Sequence, residues 1–306
     1  MNIKIVYLII LLISISSLTI SNIYAQDVEV STETELLSAI GPNKTIKIKS
    51  GDYYLDSVNF NIINNPNIKY DSKYDGIIIS NVDNLKFIAE TDTELLINNP
   101  DTPILNFNNC KNIEITNAII GHDDGANQCM GVVLNFDNCK NITINNTELF
   151  GSGIAGFYLS NVEDFRFIKS KIVDCSDYLM WLSSCTNINF IDSEFSNSGK
   201  YDLINISSSN NILFENCNII SNYSDDYMFK IDNSYGINLR SCIIKENDVR
   251  LFSNDDSNIN INNCTIDQEQ FYKVKGDDTE GDDDSYKDDD GDESDDKGDD
   301  NDDNEE

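Results

Sequence analysis

The chain of 306 residues has one histidine, His122, one tryptophan, Trp181, and three arginines, Arg166, Arg240 and Arg250. Each scarcity closes off a class of function. A single imidazole and the lack of any Cys-x-x-Cys pair argue against a zinc site, so no metal is assigned. So few cations in a chain of formal net charge −33 give a phosphate backbone or an anionic membrane nothing to meet, and nucleic acid is not an expected partner. Long apolar runs are lacking too. The one continuous stretch, Ile5 to Ile13, is too short to cross a bilayer comfortably, so no membrane insertion is expected.

That stretch follows Lys4 and leads through small polar residues to Ala25, the order of a secretory signal. The expectation is cleavage after Ala25 and a mature chain that is secreted, periplasmic or on the cell surface. The residue directly after the cleavage point is Gln26, not a cysteine, which argues against a lipid anchor.

The negative charge is unevenly spread. Gly276 to Glu306 holds nineteen Asp and Glu against Lys287 and Lys297, a net of −17, which leaves −16 for the rest. A segment with so little to bury is expected to be disordered. Its "DDDGDESDD" lacks the glycine spacing and final glutamate of a calcium loop. What precedes it is long enough for one sizeable domain.

A repeat organises that domain. "NVDNLKF", "NCKNIEI", "NCKNITI", "NVEDFRF", "SCTNINF", "SSNNILF", "NSYGINL" and "DDSNINI" superpose on the anchors Leu85, Ile113, Ile142, Phe165, Ile188, Ile212, Ile237 and Ile259, at separations of 22 to 29 residues. Within each unit the apolar residues alternate with period two, so the pieces are strands. The anchor and its second neighbour are apolar in every copy. A second apolar pair lies eight and six residues upstream, such as Leu134 with Phe136, and a third apolar position follows by seven, such as Leu149. Three short strands per unit, each with one inward face, describe a coil of parallel sheets. Asn81, Asn109, Asn138 and Asn161, with Asn84, Asn112 and Asn141, recur in the turns, where asparagine tolerates unusual dihedrals and can bond to the rungs above and below.

These repeats resemble a right-handed parallel β-helix of the pectin-lyase-like kind, over about Thr32 to Asp267. The resemblance implies an all-β, single-stranded parallel β-helix, a solenoid with an N-terminal helical cap. "TETELLSAI" supplies that cap, with Thr32 and Glu35 as a capping box before Leu36 and Leu37. The expected organisation is a signal segment 1–25, a cap and first turn 26–56, the coil 57–272 and an acidic tail 273–306.

Eight cysteines in an exported chain suggest disulfides. The register argues otherwise for six. Cys110, Cys139 and Cys185 share one repeat position with Val and Ser, and Cys217, Cys242 and Cys264 share another with Ala, Thr and Ser, as in a small core or turn position. Cys129 and Cys175 stand outside both rows and are the candidate disulfide.

The outward positions of the first strands form a strip, which is the groove that similar polysaccharide enzymes use. Seven residues before each anchor it reads Ile78, Asn106, Asn135, Tyr158, Trp181, Asn205, Lys230 and Phe252. Flat rings, amides and hydroxyls are what an uncharged sugar chain needs, which makes Tyr158, Trp181, Asn135, Asn205 and Tyr178 the candidate binding residues. Long connections border the strip. The longest, "GHDDGANQCMG", brings His122, Asp123 and Asp124 towards Asp174 in a later connection. These are the candidate catalytic residues if the chain is a hydrolase or lyase, and converging carboxylates are also where calcium would sit; no cofactor is required. A glycine-histidine loop ending in Cys-x-Gly, followed by a glycine-rich loop and a Cys-Ser, is similar to a pattern in secreted bacterial β-helix proteins without assigned chemistry. A body of charge −16 repels a polyuronate, so the expected partner is a neutral polysaccharide or glycan bound by a monomer. The other reading is a structural or adhesion protein whose strip meets protein.

Overall fold

The computed structural model describes residues 25–73, 76–123, 130–151, 153–253 and 259–267. The chain divides into the units Met1–Lys275 and Gly276–Glu306, and every described residue belongs to the first. The proposed signal segment up to residue 24 and the acidic tail lie outside the described residues.

Triplets of short strands repeat from Gly76 to Ile266 and stack into three sheets. Each sheet takes one strand from every triplet, so neighbours in space are a full turn apart in sequence. The alternation of apolar and polar residues sets the register. Anchor pairs with anchor throughout: Leu85 with Ile113, Ile142 with Phe165, Ile188 with Ile212, and Ile237 with Ile259. A slip of one residue would turn every such side chain to solvent. All pairings are parallel except that of Ile68–Asp71 with Gly76–Ser80, an antiparallel strand at the edge of the first-strand sheet.

One departure from the expected register falls on the strip. Phe252 pairs with Phe229, not with Lys230, because the ladder between Tyr223–Asp232 and Asp248–Phe252 shifts between Tyr223 and Tyr227. The two rings lie 5.7 Å apart, and the strip does not gain an aromatic there.

The interior is a column of inward side chains. Phe107 stacks on Phe136 at 4.8 Å, and Phe190 on Phe214 at 4.6 Å, while Phe165, Phe167 and Phe195 are fully buried. Burial contributes roughly 1.5–3 kcal/mol per such side chain.

The turns show why asparagine recurs. Asn81, Asn109, Asn138 and Asn161 have φ of 51° to 56°, in the left-handed region that most L-residues avoid. In the second row each amide donates to the rung below: Asn112 to Asn84 at 2.8 Å, Asn141 to Asn112 at 2.6 Å, and Asn211 to Asn187 at 2.6 Å. Asp164 interrupts this row. It accepts from Asn187 at 3.0 Å but has no N–H to offer Asn141.

The cysteine rows are explained by the same logic. Cys139 Sγ accepts from the backbone N–H of Cys110 at 3.4 Å, and further along the same row Ser209 Oγ accepts from Cys185 N–H at 2.9 Å. In the other row Ser170 Oγ accepts from Thr147 N–H at 3.0 Å and Cys264 Sγ from Cys242 N–H at 3.3 Å. Sulfur and hydroxyl thus perform one task, satisfying a buried turn N–H, which is why these residue types interchange. Cys110, Cys139, Cys185, Cys217, Cys242 and Cys264 are unbridged. Burial pushes the Cys185 thiol up to about 11, so it stays protonated near neutrality.

One seven-residue helix, Glu33–Ala39, precedes the coil and buries Leu36 and Leu37. Thr32 Oγ1 accepts from Glu35 N–H at 3.2 Å as a cap should. The Glu35 carboxylate returns chiefly to Ser31, accepting from its N–H at 2.9 Å and its hydroxyl at 3.1 Å. Those contacts hold the carboxyl below its usual range. No helix among the described residues is long and apolar enough to cross a membrane.

Candidate functional site

The strip is held by strand pairing alone. Asn135 pairs with Asn106 and Tyr158, Tyr158 with Trp181, Trp181 with Asn205, and Asn205 with Lys230, so six outward side chains follow one another rung by rung. At its centre Tyr158 and Trp181 stack with ring centroids 5.4 Å apart and planes 16° from parallel. Tyr178 meets Trp181 edge-on at 5.6 Å, and Tyr201 lies 5.7 Å from Tyr178. Four rings therefore form one cluster, and Tyr201 is a member that the repeat pattern did not single out. Its signal was available, because Tyr178 opens the first strand of its turn and Tyr201 stands shortly before the next one.

Stacking has a consequence for recognition. Tyr158 and Trp181 cover one face of each other, so only their edges and outer faces are left for other groups, and Tyr178 takes part of that room at Trp181. All but Tyr201 are half-buried, and Tyr201 is 40% exposed. Burial raises the phenols of Tyr158 and Tyr178 above their usual range, with Asp177 and Asp202 adding to the shift at Tyr178. Both stay neutral donors at any physiological pH.

The polar members are mostly committed. Asn135 donates to Asn106 Oδ1 at 3.1 Å, and Asn205, 7% exposed, donates to the Asp202 carbonyl at 3.0 Å. Lys230 Nζ lies 3.0 Å from a carboxylate oxygen of Asp202, whose other oxygen accepts from Tyr227 N–H at 3.3 Å. Lys200 sits over the Tyr201 ring at 5.0 Å. Asp177 is raised above the usual carboxylate range, chiefly by burial and against the pull of Lys200.

The histidine corner is built differently. His122, Asp123 and Asp174 border a groove of about 560 Å³ that also touches Phe150, Gly151, Asn197, Ser221 and Tyr223, whereas Tyr158 and Trp181 do not line it. Asp124 and Cys129 lie outside the described residues. Cys175 is buried, its N–H bonded to Ser198 Oγ at 3.0 Å.

His122 is 1% exposed, with Nε2 at 3.0 Å from the Thr102 carbonyl. A carbonyl only accepts, so Nε2 carries the proton and Nδ1 is the bare lone pair; Nδ1 has no partner among the described residues. Burial lowers the ring's proton affinity, against a smaller pull from that carbonyl, and keeps it neutral. The bracketing glycines complete the enclosure. A Cβ on Gly131 would come within 2.2 Å of the Thr102 carbonyl oxygen and 2.8 Å of His122 Nε2, and one on Gly121 would strike the Phe150 ring at 2.1 Å. The glycines are there because neighbouring groups occupy the space a side chain would need. No cluster of three or more His, Cys, Asp or Glu suited to a metal occurs among the described residues.

Residues 131–279 match the family model described as right handed beta helix region, which fits the stacked parallel sheets and their recurrent turns. The fold of the described residues is thus a parallel β-helix. Among solved structures it is similar to a pectate lyase from Bacillus sp. N165 in complex with trigalacturonate, at 14% identity and a TM-score of 0.42, over 78% of this chain and 82% of that one. It is also similar to the polygalacturonase from Erwinia carotovora ssp. carotovora, at 9% identity and a TM-score of 0.44, over 79% and 84%. None of the curated proteins matches the chain.

Proposed function

We propose that the protein is an exported carbohydrate-binding coil that holds a neutral glycan on the outward strip of its first-strand sheet. The observation that carries this reading is the cluster of Tyr158, Trp181, Tyr178 and Tyr201, four rings kept partly open to solvent, three of them on strands. Rings of this kind take up the apolar faces of a pyranose, and their neutral hydroxyls supply directed donors. The charge pattern favours an uncharged ligand. Lys230 is tied to Asp202 and Lys200 to Tyr201, so neither cation beside the cluster is unengaged, and the carboxylates of Asp177 and Asp202 stand close by. The helix Glu33–Ala39 serves in this reading as the plug that keeps water from the first turn of the core. His122 is a packing residue, not a base.

A glycan array read with wild type and Trp181→Ala tests the reading. Retention of neutral glycans by wild type, lost in the variant, supports it. No retained glycan, or retention that the variant leaves intact, contradicts it, and capture of proteins by the strip in place of glycans would support the adhesion reading.

A further inference from the structure

We infer that the groove at the start of the long connections is a second glycan site, separate from the strip, which takes an extended uncharged oligosaccharide running along the stack of rungs. The inference stands on residues that the strip does not use. Asp174, Asn197 and Ser221 occupy the same place on three successive rungs, directly after the strands that end at Val173, Ser196 and Ile220. All three are left-handed, with φ of 57°, 53° and 56°. In the second Asn row of the turns, which adopts the same conformation, amides bond to the rung below. Here, among the described residues, no hydrogen bond engages the side chain of Asp174, Asn197 or Ser221, so a polar group is presented once per rung with its bonding capacity open.

The surroundings fit the ligand. Rungs recur at about 4.8 Å, a spacing close to that of successive sugars in an extended chain. Phe150 borders the groove on the rung before Asp174, and Tyr223, 51% exposed, borders it beside Ser221, so an aromatic ring stands towards each end of the polar row. Its volume of about 560 Å³ is in the range of small-ligand clefts. Among the described residues no lysine or arginine lines it, and His122 is neutral, which disfavours a uronate. Since only four residues, Asp174 to Asp177, separate the last strand residue Val173 from Tyr178, the groove and the strip are neighbours, and one chain offers two places for sugar.

The test is calorimetric titration with cellohexaose, mannohexaose and maltohexaose, and with trigalacturonate as the charged control. The proteins are wild type, Trp181→Ala, and the pair Asn197→Gly with Tyr223→Ala. Glycine keeps the left-handed backbone, and Tyr223 is exposed, so the pair should melt like wild type. The expected result is two bound hexaoses per chain in wild type and one in each variant, with the groove variant losing at least tenfold in affinity at one site only. If the groove variant alone loses binding and Trp181→Ala changes nothing, the strip reading fails and the groove stands. A groove variant with unchanged stoichiometry and affinities, binding of trigalacturonate in preference to the neutral probes, or no binding of any neutral probe to wild type overturns the inference.

Discussion

At one corner of the coil Gly121, Gly131 and Gly151 close around His122, whose ring is 1% exposed and bonded to a backbone carbonyl. On the neighbouring sheet Trp181 stacks on Tyr158, meets Tyr178 edge-on and stays half-buried. The chain has one residue of each kind, and rarity alone would mark both as functional. The difference between them lies in what surrounds them. The imidazole is 1% exposed, whereas the rings on the strand face are half-buried. The enclosed ring itself is therefore expected to matter for stability and the ring cluster of the strip for binding, and substitutions should separate the two.

The largest effect is expected from His122→Ala, which opens a cavity and orphans the Thr102 carbonyl. Thermal or urea unfolding should show a loss of about 3–5 kcal/mol, while the folded fraction binds sugar as wild type does. A variant that keeps its stability would place the ring in a functional role after all. Gly131→Ala comes next. Its methyl meets backbone at 2.2 Å, which should cost about 2–3 kcal/mol, and a smaller loss would mean that the connection yields easily.

The third expectation concerns pH. Burial makes His122 harder to protonate in the fold than in the unfolded chain. Above the unfolded value of about 6.5 both states are neutral and the ring's contribution is complete. As pH falls below that value the unfolded chain takes up the proton first, so stability declines until the folded value is passed. His122→Gln should remove this part of the pH profile. Equal slopes for wild type and variant between pH 7 and 5 would contradict it.

The smallest effect tests the turns. Asp164→Asn restores a donor towards Asn141 and should raise stability by about 1 kcal/mol, the net worth of one hydrogen bond. Lys140 opposes the change, since its ammonium lies 3.8 Å from Asp164 and 2.8 Å from Glu163. A lower melting temperature would mean that this charge pair outweighs the amide bond.

Most of the coil is legible in the sequence because a period-two pattern with fixed anchors admits one register. Ile142 opposite Phe165 and Leu149 opposite Ile172 follow from spacing alone. The exception at Phe252 arises where Tyr223–Asp232 runs to ten residues and the ladder shifts, an irregularity that equal spacing cannot reveal. The site was half legible. Tyr158 and Trp181 fall together because neighbouring rungs bring equivalent positions together. The packing of His122 was not, because its enclosure depends on Thr102 and Phe150, which are distant in sequence and brought close only by the coil. Nor was the open row of Asp174, Asn197 and Ser221, since its distinction from the Asn rows is the absence of bonds, not a difference in residue type.

Trp181 is the sole tryptophan, so its fluorescence reports the centre of the strip without interference from another indole. Titration of the purified chain with neutral oligosaccharides should give a saturable shift or change in intensity that is lost when Tyr178 and Tyr201 are replaced by Ala. An emission spectrum that does not move at ligand concentrations where calorimetry shows binding would place the sugar away from Trp181 and contradict the strip as the binding surface.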